Sequence, residues 1–92
     1  MSSLWYVYFL RCADNSLYAG ITTDLSRRLE EHNFSNKLAA KYTRVRRPVR
    51  LVFSEELSSR SEATRKECQL KKLTKAKKER LVDNYLLINP TK

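Results

Sequence analysis

Glu67 is the residue whose setting folding alone explains least. Ala63, Leu70 and Leu73 are seven and three residues apart, so they share one stripe of a helix. Glu67 falls on that stripe, four residues after Ala63 and three before Leu70. A carboxylate at the edge of a buried face costs stability unless it is paired or binds a cation. The residues leave two readings open: a salt bridge to an arginine, which is the commoner arrangement, and a metal ligand.

Arg28 and His32 form a second constellation, four residues apart on one helix face beside Leu25 and Leu29. Arg28 can present two N–H groups to a phosphate and keeps its charge at any neutral pH. His32 can donate a hydrogen bond or shuttle a proton. Taken singly, each also suits a bland role, as a solvated arginine and a structural histidine. Tyr6, Tyr8 and Tyr18 supply phenols, and the only glycine, Gly20, closes the segment Tyr18-Ala19-Gly20. A glycine inside a strand marks a bulge or a close backbone approach. Whether Tyr8 and Tyr18 face one side depends on a hairpin register that the residues leave open. The stretch Lys41-Tyr42-Thr43-Arg44-Val45-Arg46-Arg47 interleaves an aromatic with cations, a pattern that can grip phosphates and stack a base. Lys71, Lys72, Lys75, Lys77, Lys78 and Arg80 add positive charge at a helix junction, as a phosphate-contacting surface or a solvated face.

Positioning these groups requires a small set of elements. Leu4 to Cys12 is aromatic and β-branched, apolar on both faces, and reads as a central strand. Ala13 to Ser16 is a turn, and Leu17 to Ile21 a second strand paired antiparallel to the first. Thr23 and Asp24 are good N-caps for a helix to about Asn33. Ser35 to Pro48 reads as a long connection. Val49 to Glu55 reads as a third strand with Leu51 and Phe53 on one face. Ser59 and Glu62 fit a capping box opening a helix to about Leu73. Thr74 caps a last helix, from Lys75 to about Leu87. The expected fold is an α+β domain: a three-stranded antiparallel sheet flanked by helices, in the order β-β-α-β-α-α. Residues 1–87 make one domain, and residues 88–92, with Pro90, a frayed tail.

Composition narrows the partners. With 19 Lys and Arg against 10 Asp and Glu, the net charge of +9 creates a field that attracts polyanions, nucleic acid above all. Cys12 and Cys68, with a single histidine, are too few for a four-ligand zinc site and read as reduced, half-buried thiols of a cytoplasmic protein. No apolar run reaches membrane-spanning length, and no signal-peptide pattern opens the chain.

The arrangement Tyr6-Val7-Tyr8, Tyr18-Ala19-Gly20, Arg28 with His32, and then Glu67 resembles the GIY-YIG endonuclease superfamily, more narrowly its small stand-alone bacterial members. The stretch from Leu17 to His32 is the most specific part, and the likeness runs from about Trp5 into the last helix. It implies a metal-dependent phosphodiesterase of the GIY-YIG fold. Tyr8 and Tyr18 match the two motif tyrosines, and Gly20 the final glycine of the second motif. Arg28 matches the helix arginine that contacts the scissile phosphate, and His32 a frequent active-site histidine. Glu67 matches the glutamate that binds one divalent cation, magnesium or manganese. The likeness further makes Tyr8, or a water held by it, the general base. The sequence departs from the pattern at Tyr6, where the family has glycine, and at Ala19, where it has isoleucine. Asn84 and Asn89 are candidates for an asparagine that many members carry after the last helix.

The implied activity is cleavage of DNA with low sequence specificity or by structure, in repair or recombination, by a monomer with no small-molecule cofactor. Larger relatives add a DNA-recognition domain for which this chain has no room. The alternatives are a non-catalytic nucleic-acid-binding module of the same fold and, more remotely, a domain that docks an acidic protein.

Overall fold

β1 (Trp5–Arg11) places apolar or aromatic side chains at successive positions, so both of its faces need cover. It accordingly takes the centre of a three-stranded antiparallel sheet ordered β2-β1-β3. In the computed structural model, which describes residues 4–89, Val7, Tyr8, Phe9 and Leu10 are all buried. β2 (Leu17–Thr22) follows a tight turn closed by Asn15 N–H donating to the Cys12 carbonyl and Cys12 N–H donating to the Ser16 carbonyl. Asn15 takes φ 70° there, a left-handed conformation that asparagine tolerates. β3 (Arg50–Leu57) pairs with the other edge of β1.

Helices cover the two faces. α1 (Leu25–Phe34) starts where the Asp24 side chain accepts the Arg27 N–H. Leu25 and Leu29 lay it over Tyr8, Leu10, Cys12 and Val49. α3 (Arg60–Lys71) and α4 (Lys75–Ile88) cover the opposite face, where Leu70 and Val82 pack on Val7, Phe9, Ala19, Val52 and Phe53. The Thr74 hydroxyl accepts the Lys77 N–H and opens α4, as its position predicts. The result is the expected α+β sandwich of helix, sheet and helix pair. Among the described residues no helix is long and apolar enough to cross a membrane.

Several expectations need correction. The long connection contains a one-turn helix, α2 (Lys41–Arg44), held by the Arg44 N–H donating to the Ala40 carbonyl. Leu51 and Phe53 do not share a face: Phe9 pairs with Phe53 and Leu10 with Leu51, so a bulge at Val52 reverses the alternation. Val52 and Phe53 therefore both enter the core under α3 and α4, while Leu51 packs on the other side. The capping box is displaced by one residue. Ser59 accepts the Glu62 N–H, but the Glu62 carboxylate reaches back to Ser58. α3 ends at Lys71, and Leu73 still packs on the core from the turn that follows. Cys12 is buried and Cys68 exposed, so neither thiol is half-buried. Ile88, expected in the tail, ends α4 and Asn89 caps it; Pro90 and residues 91–92 lie outside the described residues.

Two side-chain ties brace the connection that carries α2. Asn33 imitates a strand, donating to the Val49 carbonyl at 2.8 Å and accepting the Val49 N–H at 2.7 Å. Arg47 closes the C-terminal end of α1, donating to the carbonyls of His32 (2.7 Å) and Ser35 (2.8 Å) and to the Asn36 side chain (2.9 Å).

Candidate active site

The hairpin register settles the tyrosines. Tyr8 lies opposite Gly20 and Leu10 opposite Tyr18. Side chains alternate along a strand, so Tyr18 and Gly20 share a face, and Tyr8 points to that same face. Gly20 sits under the Tyr8 ring. A Cβ on it would fall on the Tyr8 hydroxyl and lie 2.6 Å from Cζ. The β1–β2 pairing is regular through Gly20, so the glycine marks a close approach and not a bulge.

α1 delivers His32 to the same point. The imidazole is fully buried, with Nε2 3.1 Å from the Tyr8 hydroxyl and Nδ1 2.7 Å from the Thr43 hydroxyl of α2. Tyr18 packs edge-on to the imidazole, with centroids 5.4 Å apart. Burial, with the positive charges of Arg28 and Arg47, pushes the His32 pKa down to about 4 against the opposing pull of Glu31. His32 is therefore neutral at physiological pH. Burial likewise raises the Tyr8 phenol to about 12. The Arg28 guanidinium opposes the rise, and the Tyr18 phenol and Glu67 carboxylate add to it.

Arg28 stands one turn before His32, beside the Tyr8 phenol. Its Nη1 donates to Glu31 at 2.9 Å and to the Leu38 carbonyl at 2.7 Å. Those bonds orient the fork while a quarter of the side chain stays exposed (25%). Glu67 comes from α3, near enough for its charge to act on Tyr8. Its ion pair is with Lys71, one turn on at 3.5 Å, and not with an arginine. Thus β1, β2 and α1 bring Tyr8, Tyr18, Arg28 and His32 together, and α3 carries Glu67 within range of the Tyr8 phenol's charge.

Among the described residues no three histidine, cysteine or acidic side chains cluster closely enough to cage a metal. A single carboxylate nevertheless suits a hydrated magnesium or manganese ion. Such ions take one or two protein carboxylates and complete their shell with water and substrate oxygens. Glu67 fits that use, because its side chain is reachable (21% exposed) and its lysine partner is a solvated amine (58% exposed) that an ion can displace.

The basic segment divides into two groups. Lys41, Arg44, Lys71 and Lys72 are exposed. Lys71 and Lys78 line a cleft of about 250 Å³ along the β2 edge with Tyr18 and Tyr42. Arg46 and Arg47 are half-buried and engaged within the protein. Arg46 pairs with Asp14 at 2.9 Å and lies over the Tyr42 ring, and Arg47 closes α1. Tyr42 stacks on Tyr18 at 5.8 Å, so its ring already has partners before any base arrives. Asn84 is exposed, and Asn89 donates to the Tyr85 carbonyl at the end of α4. Sequence reasoning missed Thr43, Glu31 and Asn33. Thr43 lay unremarked between cations, and only its full burial identifies it.

Known proteins share this pattern. The description of the GIY-YIG catalytic domain matches residues 4–80. A UPF0213 protein of Desulfotalea psychrophila is 51% identical over 78 residues, covering 85% of this chain and 70% of its own length. A UPF0213 protein of Natronomonas pharaonis is 50% identical over 82 residues, covering 89% of this chain and 94% of the relative. The solution structure of a Bacillus halodurans UPF0213 protein superposes with a TM-score of 0.55 at 46% identity, over 87% of this chain and 83% of that one. A protein of E. faecalis superposes at 0.58 with 43% identity, over 94% and 93%.

Proposed function

The chain belongs to the GIY-YIG catalytic-domain family, a family of nucleases, and from that premise we propose that it is a divalent-metal-dependent endonuclease acting on DNA. It cuts with low sequence specificity or by recognising structure, as a cytoplasmic monomer, with repair or recombination as its setting. The observation that carries this reading is the Tyr8 phenol, seated over Gly20 and bonded to His32, with the charges of Arg28 and Glu67 acting on it.

Hydrolysis joins a water oxygen to phosphorus, breaks a P–O bond and delivers a proton to the leaving oxygen. Glu67 would hold a magnesium or manganese ion, which when bound would supply Lewis acidity and lower nearby pKa values. Arg28 offers fixed positive charge where negative charge grows on the phosphate, in a geometry set by Glu31 and the Leu38 carbonyl. Tyr8, ionised to the phenolate once a cation on Glu67 lowered its pKa, would take the proton of the attacking water, and a solvent water would give the leaving oxygen its proton. Tyr18 walls the site between His32 and Tyr42. Exposed Lys41, Arg44, Lys71 and Lys72 contact the phosphate backbone.

A second reading, a non-catalytic nucleic-acid-binding module, draws on the Tyr8 pKa of about 12 and on the Glu67–Lys71 pair, which together describe a resting site. One assay separates the two. The protein is incubated with labelled linear, flapped, branched and single-stranded DNA, with and without magnesium or manganese. The nuclease reading expects metal-dependent cleavage that Glu67→Ala abolishes while binding persists. A Glu67→Ala protein that cuts like the parent removes Glu67 from the metal site. Salt-sensitive binding with no cleavage under any ion favours the module.

A further inference from the structure

We infer that His32 is held as the neutral Nε2–H tautomer and serves as a hydrogen-bond donor to the Tyr8 oxygen, with Thr43 as the residue that positions it. The inference deepens the proposed nuclease function and rests on its assignment of Tyr8 as the base.

The argument is a count of protons around one buried ring. Three groups meet Nδ1 or its neighbours: the Thr43 hydroxyl at 2.7 Å, the Ala40 N–H at 3.4 Å, and, beyond Thr43, the Ala40 carbonyl at 3.0 Å from the same hydroxyl. Thr43 has one proton for two acceptors, Nδ1 and the Ala40 carbonyl. That carbonyl already accepts the Arg44 N–H at 3.0 Å, so it loses little without Thr43. The Ala40 N–H is different. Nδ1 is the acceptor it faces among the described residues, and it can bond there only when Nδ1 is bare. Placing the proton on Nδ1 would set it against the Ala40 N–H, which would then have no acceptor among the described residues. With the proton on Nε2, the Thr43 hydroxyl donates to the single lone pair of Nδ1, the Ala40 N–H points at it from 3.4 Å, and Nε2–H donates to Tyr8 at 3.1 Å.

The consequence for Tyr8 concerns direction. The phenol oxygen receives a hydrogen bond from His32 and stands beside the Arg28 guanidinium, so its own proton is directed away from the imidazole. A phenolate formed there keeps both stabilising neighbours. His32 is then a positioning residue, because it orients and stabilises Tyr8 without taking its proton. The charged groups acting on the ring, Arg28 and Arg47 against Glu31, favour this neutral form, and Tyr8 and Tyr18 complete its surroundings.

Nitrogen-15 NMR of the full chain at neutral pH reads the tautomer directly, whether or not the protein cuts DNA. The expected spectrum has a protonated Nε2 and a bare, hydrogen-bonded Nδ1. Thr43→Val should raise the Nδ1–H population, and Thr43→Ser should restore the parent spectrum. Where DNA cleavage is present, Thr43→Val should lower kcat about 10- to 100-fold with little change in KM, because His32 would align Tyr8 less well. A protonated Nδ1 or an imidazolium in the parent overturns the inference. An unchanged tautomer in folded Thr43→Val removes Thr43 from it. Should that variant fail to fold, the parent spectrum decides alone. Absent cleavage with the predicted tautomer would count against the nuclease reading only.

Discussion

Replacing Gly20 with alanine adds one methyl group where the Tyr8 ring already stands. The new Cβ would lie 2.6 Å from Cζ and 3.2 Å from Cε1, with the hydroxyl closer still. Carbon atoms rest at about 3.5–4.0 Å, so the end of the ring must move by about 1 Å. The backbone of Gly20 is not in the left-handed region, so conformational strain contributes nothing and the effect is steric. Tyr8 is 2% exposed and holds His32 at 3.1 Å, so the ring cannot swing into solvent without breaking that bond. Overpacking of this kind costs about 1–3 kcal/mol. In a domain of this size each kcal/mol lowers Tm by about 4–8 °C. A misplacement of about 1 Å at a reacting group can cost about 100-fold in rate. Thermal melting and single-turnover cleavage of Gly20→Ala should therefore show a fall in Tm and a larger fall in kcat, with DNA affinity nearly kept. A variant that melts with the parent and cuts at the parent's rate would refute the close approach as the reason for glycine.

Arg47→Ala should destabilise the fold by about 2 kcal/mol, because three charge-assisted bonds at the end of α1 are lost. Urea titration checks this, and a loss of DNA binding in a variant of undiminished stability would return Arg47 to the phosphate-contacting group. Arg28→Lys should retain the fold yet lower kcat about 100-fold, since an amine cannot hold Glu31 and the Leu38 carbonyl while presenting a fork to phosphate; cleavage within twofold of the parent's would show that charge alone suffices. The His32 pKa is depressed from 6.5 to about 4, so its contribution to stability is complete above about pH 6.5 and is lost as pH falls through about 4. Denaturant midpoints between pH 7 and pH 4 should fall less for His32→Gln than for the parent, and parallel curves would contradict the burial of a neutral ring. The Tyr8 phenol is raised from 10.0 to about 12, so its contribution persists up to about pH 10 and is lost as pH rises through about 12. Tyr8→Phe should be the less sensitive protein in that window, and an equal loss on alkaline denaturation would place the titrating group elsewhere.

Local chemistry explains what was legible from residue order. The apolar run of β1, the Asp24, Ser59 and Thr74 caps, and the stripe of α3 act within a turn or a strand, so neighbours in sequence suffice to read them. The candidate site residues were legible for a different reason, since the order of Tyr8, Tyr18, Gly20, Arg28 and Glu67 resembles that of the GIY-YIG family. Short-range reading failed where packing overrode pattern, as at Val52, whose bulge put Leu51 and Phe53 on opposite faces.

By itself, the order of residues determined an α+β fold, a strongly basic chain and a candidate set of Tyr8, Tyr18, Arg28, His32 and Glu67. Tertiary structure decided which of these groups touch and in what protonation state. The β1–β2 register placed Gly20 beneath Tyr8, and the return of α2 brought Thr43 to His32. Folding also gave Arg46 and Arg47 bonds within the protein, to Asp14 and to the end of α1. The physical reason is that pKa values, hydrogen-bond direction and steric fit depend on neighbours 11 and 24 residues away, and only a packed chain creates those distances.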